Sequence, residues 1–209
     1  MVAFLREMLY SMKAMDNLNF ETYISVDVET AGPNPSNYSL LTIGACTIGK
    51  NPHTFYVELK PVNNKMTRES YAIHRLSLKR LAERGFAPKE AMASFERWLK
   101  AELPEGQNPV FVSYNAPFDW MFVNDYFHRY LKRNPFGYAA LDLKAFYMGM
   151  SGSLWKETGL REIISQYLGD RQLTHHALRD ALDQAEIFMK LLTETQKRER
   201  STSTRSAST

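Results

Sequence analysis

Four acidic residues and a histidine stand where their types and spacing could do chemistry. Asp27 and Glu29 occur in SVDVET, two residues apart. Side chains alternate along a strand, so this spacing puts both carboxylates on one face. Like charges held together repel and are costly to bury unpaired. Either the strand end is solvated, or cations sit between the carboxylates. The second point is Asp119 in SYNAPFDW, directly after the apolar run VFVSY at 110–114. Pro117 turns the chain into a helix, which leaves Asn115 and Asp119 near the C-terminal end of a buried strand, where sites in open α/β sheets collect. Capping and the helix dipole account for Asp119 equally well.

The third point is THHALRDA, residues 174–181. Asp180 lies inside a helix beside its apolar stripe, and His175 is five residues earlier, about 140° away on a regular helix. For both to serve one site, His175 must precede the helix or occupy its first turn, with Thr174 as cap. His176 is the rival histidine, otherwise a surface or packing residue. Asp183 and Glu186 follow at three-residue steps and read as a solvated face.

Rival chemistries lack their signatures. The sequence has no Walker loop, no G-x-G-x-x-G, no G-x-S-x-G and no cysteine pair for zinc. Carboxylate-only ligand sets select hard cations such as Mg²⁺ or Mn²⁺. Acids on separate elements plus one histidine are what two-metal hydrolysis of a phosphodiester needs.

The elements that must position these residues follow from periodicity and turn chemistry. Residues 22–28 (TYISVDV), 38–48 and 53–58 read as three strands joined by Gly/Pro/Asn turns, most economically as an antiparallel meander. The pattern is helical over 67–100, strand-like at 110–114, helical over 117–131 and strand-like at 138–141. Asp142 then caps a helix toward Met150, a helix runs from a Thr158 cap to Leu168 with Gly169 closing it, and a long helix spans 177–192. Strands followed by strand–helix alternation imply an α/β fold with a mixed sheet flanked by helices.

A chain of 209 residues, 44% hydrophobic and 23% charged, suits one globular domain with short appendages. No apolar run is long enough to span a membrane. Cys46 is the only cysteine, which excludes an internal disulfide and points to a reducing, cytoplasmic setting. Residues 1–18 read as an N-terminal helical extension that packs on the domain at 19–195 or on a partner. Residues 196–209 (QKRERSTSTRSAST) hold no large apolar side chain and read as a disordered basic tail. Lys197, Arg198, Arg200 and Arg205 against Glu199 account for the whole net charge of +3, so the rest of the chain is formally neutral.

In this order the three motifs resemble the DEDD superfamily of 3′–5′ exonucleases, which includes the proofreading subunit of bacterial DNA polymerase III. The matching segments are Asp27-Val28-Glu29-Thr30, Asn115-Ala116-Pro117-Phe118-Asp119 and His175-His176-Ala177-Leu178-Arg179-Asp180-Ala181. Histidine five residues before the last aspartate, with no Tyr at 176, is similar to the histidine branch. TAG at 30–32 and LKRNPF at 131–136 are similar to ribonuclease T. The resemblance covers roughly residues 20–193.

The resemblance implies a ribonuclease H-like sheet with the active site at one edge. It implies that Asp27 bridges two Mg²⁺ or Mn²⁺ ions, that Glu29 and Asp180 ligate one and that Asp119 holds the other. His175 would be the general base, a role suited to imidazole with its ordinary pKa near about 6.5. Thr30, Gly32, Asn115, His74 and Phe118 would contact substrate, although His74 is followed by Arg75 where the family pattern has Gly. Tyr71 and Phe118 also read as core. The implied substrate is the 3′ end of single-stranded DNA or RNA, with nucleoside 5′-monophosphates as products. The enzyme would act alone, as a homodimer, or as a proofreading or processing subunit of a larger assembly. A catalytically silent binding module fits poorly, because a binder gains nothing from buried like charges.

Overall fold

The computed structural model describes residues 21–172 and 174–206. The helical extension expected at 1–18 lies outside them. Five strands form one sheet: β1 (Thr22–Thr30), β2 (Leu40–Thr47), β3 (Thr54–Glu58), β4 (Pro109–Ser113) and β5 (Ala140–Asp142). Their order is β3-β2-β1-β4-β5, with β1–β2 and β2–β3 antiparallel and β1–β4 and β4–β5 parallel. The meander and the mixed sheet are therefore as the sequence implies.

Seven α-helices are described: α1 (Arg68–His74), α2 (Leu78–Arg84), α3 (Pro88–Glu102), α4 (Ala116–Leu131), α5 (Leu143–Ser151), α6 (Leu160–Leu168) and α7 (Ala177–Ser206). The helical stretch expected over 67–100 is three helices, because Arg75 takes a left-handed φ of 58° and Pro88 restarts the chain. Thr158 does not open α6. It closes a short 3₁₀ turn (Trp155–Glu157), and α6 begins after Gly159. Asp142 caps α5 as expected, accepting from the Lys144 amide. The tail expected to be disordered from residue 196 is instead helical to Ser206. No Gly or Pro interrupts it, and Arg198 pairs with Glu194 one turn back.

The alternation along β1 decides where the chemistry points. Ile24, Val26 and Val28 pack into the principal core with Phe95 of α3 and Phe122, Tyr126 and Phe127 of α4. Ser25 and Asp27 face the other layer: the Ser25 hydroxyl donates to the Ala181 carbonyl of α7, and Asp27 accepts from Gln184 of the same helix. A second cluster, Cys46, Val112, Leu143, Ala185 and Phe188, seals α5 and α7 onto that face. Core burial on one side of β1 thus leaves its polar side chains directed at a single helix.

Candidate active site

β1 outruns its parallel neighbour. Pairing with β4 ends at Ser25–Val112, while β1 continues to Thr30 along β2, with a register shift between Glu29 and Thr30. The rim so created is where Asp27 and Glu29 sit. On its exposed edge the Val28 amide donates to Asp119 Oδ1 (3.0 Å), and the Ser113 hydroxyl at the end of β4 donates to Asp119 Oδ2 (2.7 Å). Asn115, left-handed at φ 59°, turns β4 into α4, and its amide donates to Asp142 Oδ1. That turn brings Asp119 in from the opposite layer.

Asp180 arrives on α7, and Gly44 lets it. Gly44 lies opposite Asp27 in the β1–β2 ladder. A Cβ there would stand 2.1 Å from the Leu178 amide nitrogen, so the first turn of α7 rests directly on the strand backbone. Ligand atoms of Asp27, Glu29 and Asp180 come within 4.8 Å of one another. His175 lies off the helix, two residues before it and left-handed at φ 50°, which removes the conflict with helical periodicity. Thr174 donates its hydroxyl to Asp180 Oδ1 (2.9 Å), tying this loop to the acid rather than capping the backbone. His176 accepts the first helical amides through its carbonyl and stacks on Tyr56. It is a packing histidine.

The four acids and His175 line one cleft of about 250 Å³, with Tyr114, Asn115 and Phe118 on one side and Leu160, Ile164 and Ile187 on the other. No Lys or Arg is among the residues lining it. The electrostatic consequence is direct. Burial, then the neighbouring Asp119, Glu29 and Asp180, hold the Asp27 carboxyl well above its ordinary range. Burial, then Asp180 and Asp119, push Glu29 up to about 8. Burial also raises Asp119, against the hydrogen bonds from Ser113 and Val28 that lower it. Carboxylates crowded this way without counter-charges are a ligand set for hard divalent cations, and Asp27, Glu29 and Asp180 fit that role, with Asp119 lining the same cleft.

The five substrate-contact candidates separate into two groups. Asn115 and Phe118 line the cleft. Thr30, Gly32 and His74 stand behind it. The Thr30 hydroxyl donates to the Gly32 carbonyl, and Gly32 lies under the Tyr38 ring, which a Cβ would strike at 2.4 Å. His74 accepts the Leu76 amide at Nδ1, so Nε2 carries the proton and faces the Thr30 carbonyl at 3.2 Å. Burial lowers the pKa of this ring, against the Thr30 hydrogen bond, which raises it. Tyr71, read as core, is 48% exposed.

Three supporting residues escaped the sequence reading. Gln184 bridges Asp27 Oδ1 (2.8 Å) and the Tyr114 amide (2.9 Å). It stands four residues after Asp180, on the same helical face, so the spacing carried a signal. Gly44, an isolated glycine in a strand, carried another. Ser113 carried none.

Carboxylates converging without counter-charge at a strand rim, under a helix that brings another acid, are the kind of site that metal-dependent hydrolases use. The exonuclease family model (RNase_T) matches residues 24–188, and the chain belongs to that family, as a 3′–5′ exonuclease of the DnaQ/ribonuclease T kind. It is 43% identical over 168 residues to the 3′–5′ DNA exonuclease Cap18 of Escherichia coli, covering 80% of this chain and 90% of that one. It is 29% identical over 183 residues to ribonuclease T of Yersinia pestis, covering 81% and 83%. Among solved structures it is similar to the nuclease domain of 3′hExo, a DEDDh family member bound to rAMP (TM-score 0.67, 14% identity, 84% and 93% coverage). It is similar also to E. coli exonuclease I in complex with a dT13 oligonucleotide (TM-score 0.67, 17% identity, 86% and 42% coverage). These likenesses establish the ribonuclease H-like fold. Among the described residues no helix is long and apolar enough to cross a membrane.

Proposed function

We propose that the protein removes nucleoside 5′-monophosphates one at a time from the 3′ end of single-stranded DNA, with two divalent cations and His175 as general base. The observation that carries this reading is the convergence of Asp27, Glu29 and Asp180 within 4.8 Å, with no cation among the residues that line the cleft. Two Mg²⁺ or Mn²⁺ ions, when bound, supply electrostatic stabilisation to the attacking and leaving oxygens of an in-line displacement. Asp27, Glu29 and Asp180 would hold one ion, with Asp27 shared, and Asp119 the other. Gln184 fixes the Asp27 rotamer, and Thr174 fixes Asp180 and with it the loop that presents His175.

In the reaction a water oxygen attacks phosphorus and its proton passes to the His175 ring. The bond from phosphorus to the 3′-oxygen breaks, and that oxygen takes a proton from solvent. His175 is exposed at the lip of the cleft, where the proton can leave after each turnover. Thr30, Gly32 and His74 act as the floor under the terminal nucleotide, and Asn115 and Phe118 as its wall. DNA is favoured over RNA because the 43% identical relative is named a DNA exonuclease, whereas the ribonuclease T relatives are 29% identical.

The test is a set of end-labelled oligonucleotides. With 5′-labelled single-stranded DNA and Mg²⁺ or Mn²⁺, a ladder shortening from the 3′ end should appear, and a chelator should abolish it. His175→Ala should slow cleavage by about 10²–10⁴-fold. No ladder, a ladder from the 5′ end, or undiminished cleavage by His175→Ala would each refute the reading. RNA of the same sequence, run alongside, should be cleaved more slowly.

A further inference from the structure

Beside the cleft lies an aromatic surface that the chemistry above does not use. Trp155 is 51% exposed, Leu154 59% and Tyr138 95%. The Lys144 ammonium stands 4.1 Å from the centre of the Trp155 ring, a cation–π contact at the surface. An indole more than half exposed, already held by a cation, is a surface on which a second flat group can stack.

A chain of contacts connects this surface to the active site without a break. Asn115 lines the cleft and donates its amide to Asp142, and Asp142 accepts from the Lys144 amide in turn. From Lys144 the cation–π contact leads to Trp155. On the other side, the Tyr114 hydroxyl donates to the Thr158 carbonyl, which clamps the 3₁₀ turn bearing Trp155 against a cleft-lining residue. Two residues further on, Leu160 enters the cleft wall. Tyr138 flanks the same Asp142, at a shallow hollow formed with Ala116, Pro117 and Trp120.

We propose that Trp155, with Lys144, is the stacking platform for the single strand upstream of the scissile nucleotide, and that Tyr138 extends it. The proposal rests on the exonuclease reading. The occupant is a polynucleotide because the surface pairs an open indole with an ammonium, which suits a base beside its phosphate, and because it continues from the cleft that takes the 3′ end. Stacking platforms of this kind tolerate any base sequence, since every base has a π-face. Such a platform makes affinity depend on strand length while leaving the chemistry to the acids.

The test compares a long and a minimal substrate. An oligothymidylate of about 12 nucleotides can reach the platform; the p-nitrophenyl ester of thymidine 5′-monophosphate cannot. Trp155→Ala should raise KM for the oligonucleotide by about 5- to 150-fold, the range of one lost stacking contact, and leave kcat/KM for the ester within about twofold of wild type. Trp155→Phe should recover most of the loss. Lys144→Ala should weaken oligonucleotide binding by a smaller factor and flatten its salt dependence. The platform is refuted if Trp155→Ala handles the oligonucleotide as wild type does, or if both substrates suffer equally. It is refuted too if the substitution changes the size of the protein on gel filtration, which would make this surface an interface between copies. If wild type hydrolyses neither substrate, the exonuclease reading itself fails.

Discussion

Glu29 and Glu96 are both buried glutamates, and the fold treats them oppositely. Glu96 on α3 receives both nitrogens of the Arg133 fork at 2.7 Å, and Lys100 approaches it at 3.2 Å. The Arg133 hydrogen bonds hold its carboxyl below the usual range. Glu29 has no cation and faces two other acids, and burial drives its pKa up to about 8. The same contrast recurs within α7: Glu186 and Asp183, which also lines the cleft, share Arg171, while Asp180, one turn earlier, accepts from Thr174 beside the other acids. Where the acid serves architecture the chain supplies its counter-charge. Where it serves chemistry the counter-charge comes from outside. That difference separates the four acids from Glu96, Asp183 and Glu186.

Asp27→Asn should break the contrast most strongly. It should lower hydrolysis by on the order of 10³-fold or more, the several kcal/mol that an ion contributes to the transition state. It should also raise the melting temperature of the metal-free protein, because it removes one of four crowded acids. Arg133→Met should do the reverse. It leaves the buried Glu96 without its bidentate partner and should lower the midpoint of denaturant unfolding, with cleavage unchanged.

Gly44→Ala should come next. A methyl group there meets helix backbone at 2.1 Å and must shift Asp180 away from Asp27. Misplacement of about 1 Å costs on the order of 10²-fold in rate, measurable as kcat with the secondary structure retained by circular dichroism.

Mg²⁺ should stabilise wild type by about 2.7 kcal/mol at a hundredfold excess over Kd, and Asp27→Asn little, as thermal denaturation with and without metal would show. The smallest effect is on pH. In metal-free protein Glu29 keeps its proton up to about 8, while the unfolded chain loses it near the ordinary value of 4.5. The unfolded state therefore binds fewer protons across that window, and stability falls as pH rises from about 4.5 to 8. Glu29→Gln should flatten this slope in denaturant titrations, and saturating Mg²⁺ should flatten it in wild type. A slope of opposite sign would mean that Glu29 has a positive partner after all.

Much of this arrangement was legible in the sequence because it depends on local periodicity. The two-residue step of Asp27 and Glu29 fixed their common face, and the turn at Pro117 fixed the rim position of Asp119. For His175 and Asp180 to serve one site, His175 had to precede the helix or occupy its first turn, and it precedes the helix, which begins at Ala177. What was not legible depends on elements distant in sequence. Gly44 is chosen by a helix that begins more than a hundred residues later, and Ser113 by the approach of α4 to the end of β1. Thr30, Gly32 and His74 do not line the cleft; the Thr30 hydroxyl and the His74 ring are engaged within that group, and Gly32 is covered by the Tyr38 ring. The continuation of α7 past residue 195 was missed because its composition lacks apolar residues, although nothing in it stops a helix.

The proposed chemistry requires that the uncompensated carboxylates hold cations. Titration of metal-free protein with Mn²⁺, followed by the electron paramagnetic resonance of the free ion, tests this directly. Wild type should remove two Mn²⁺ per chain from solution, and Asp27→Asn, lacking the shared ligand, should lose both sites or retain one weakly. Wild type that leaves all Mn²⁺ free, or an Asp27→Asn protein that binds as wild type does, would contradict it.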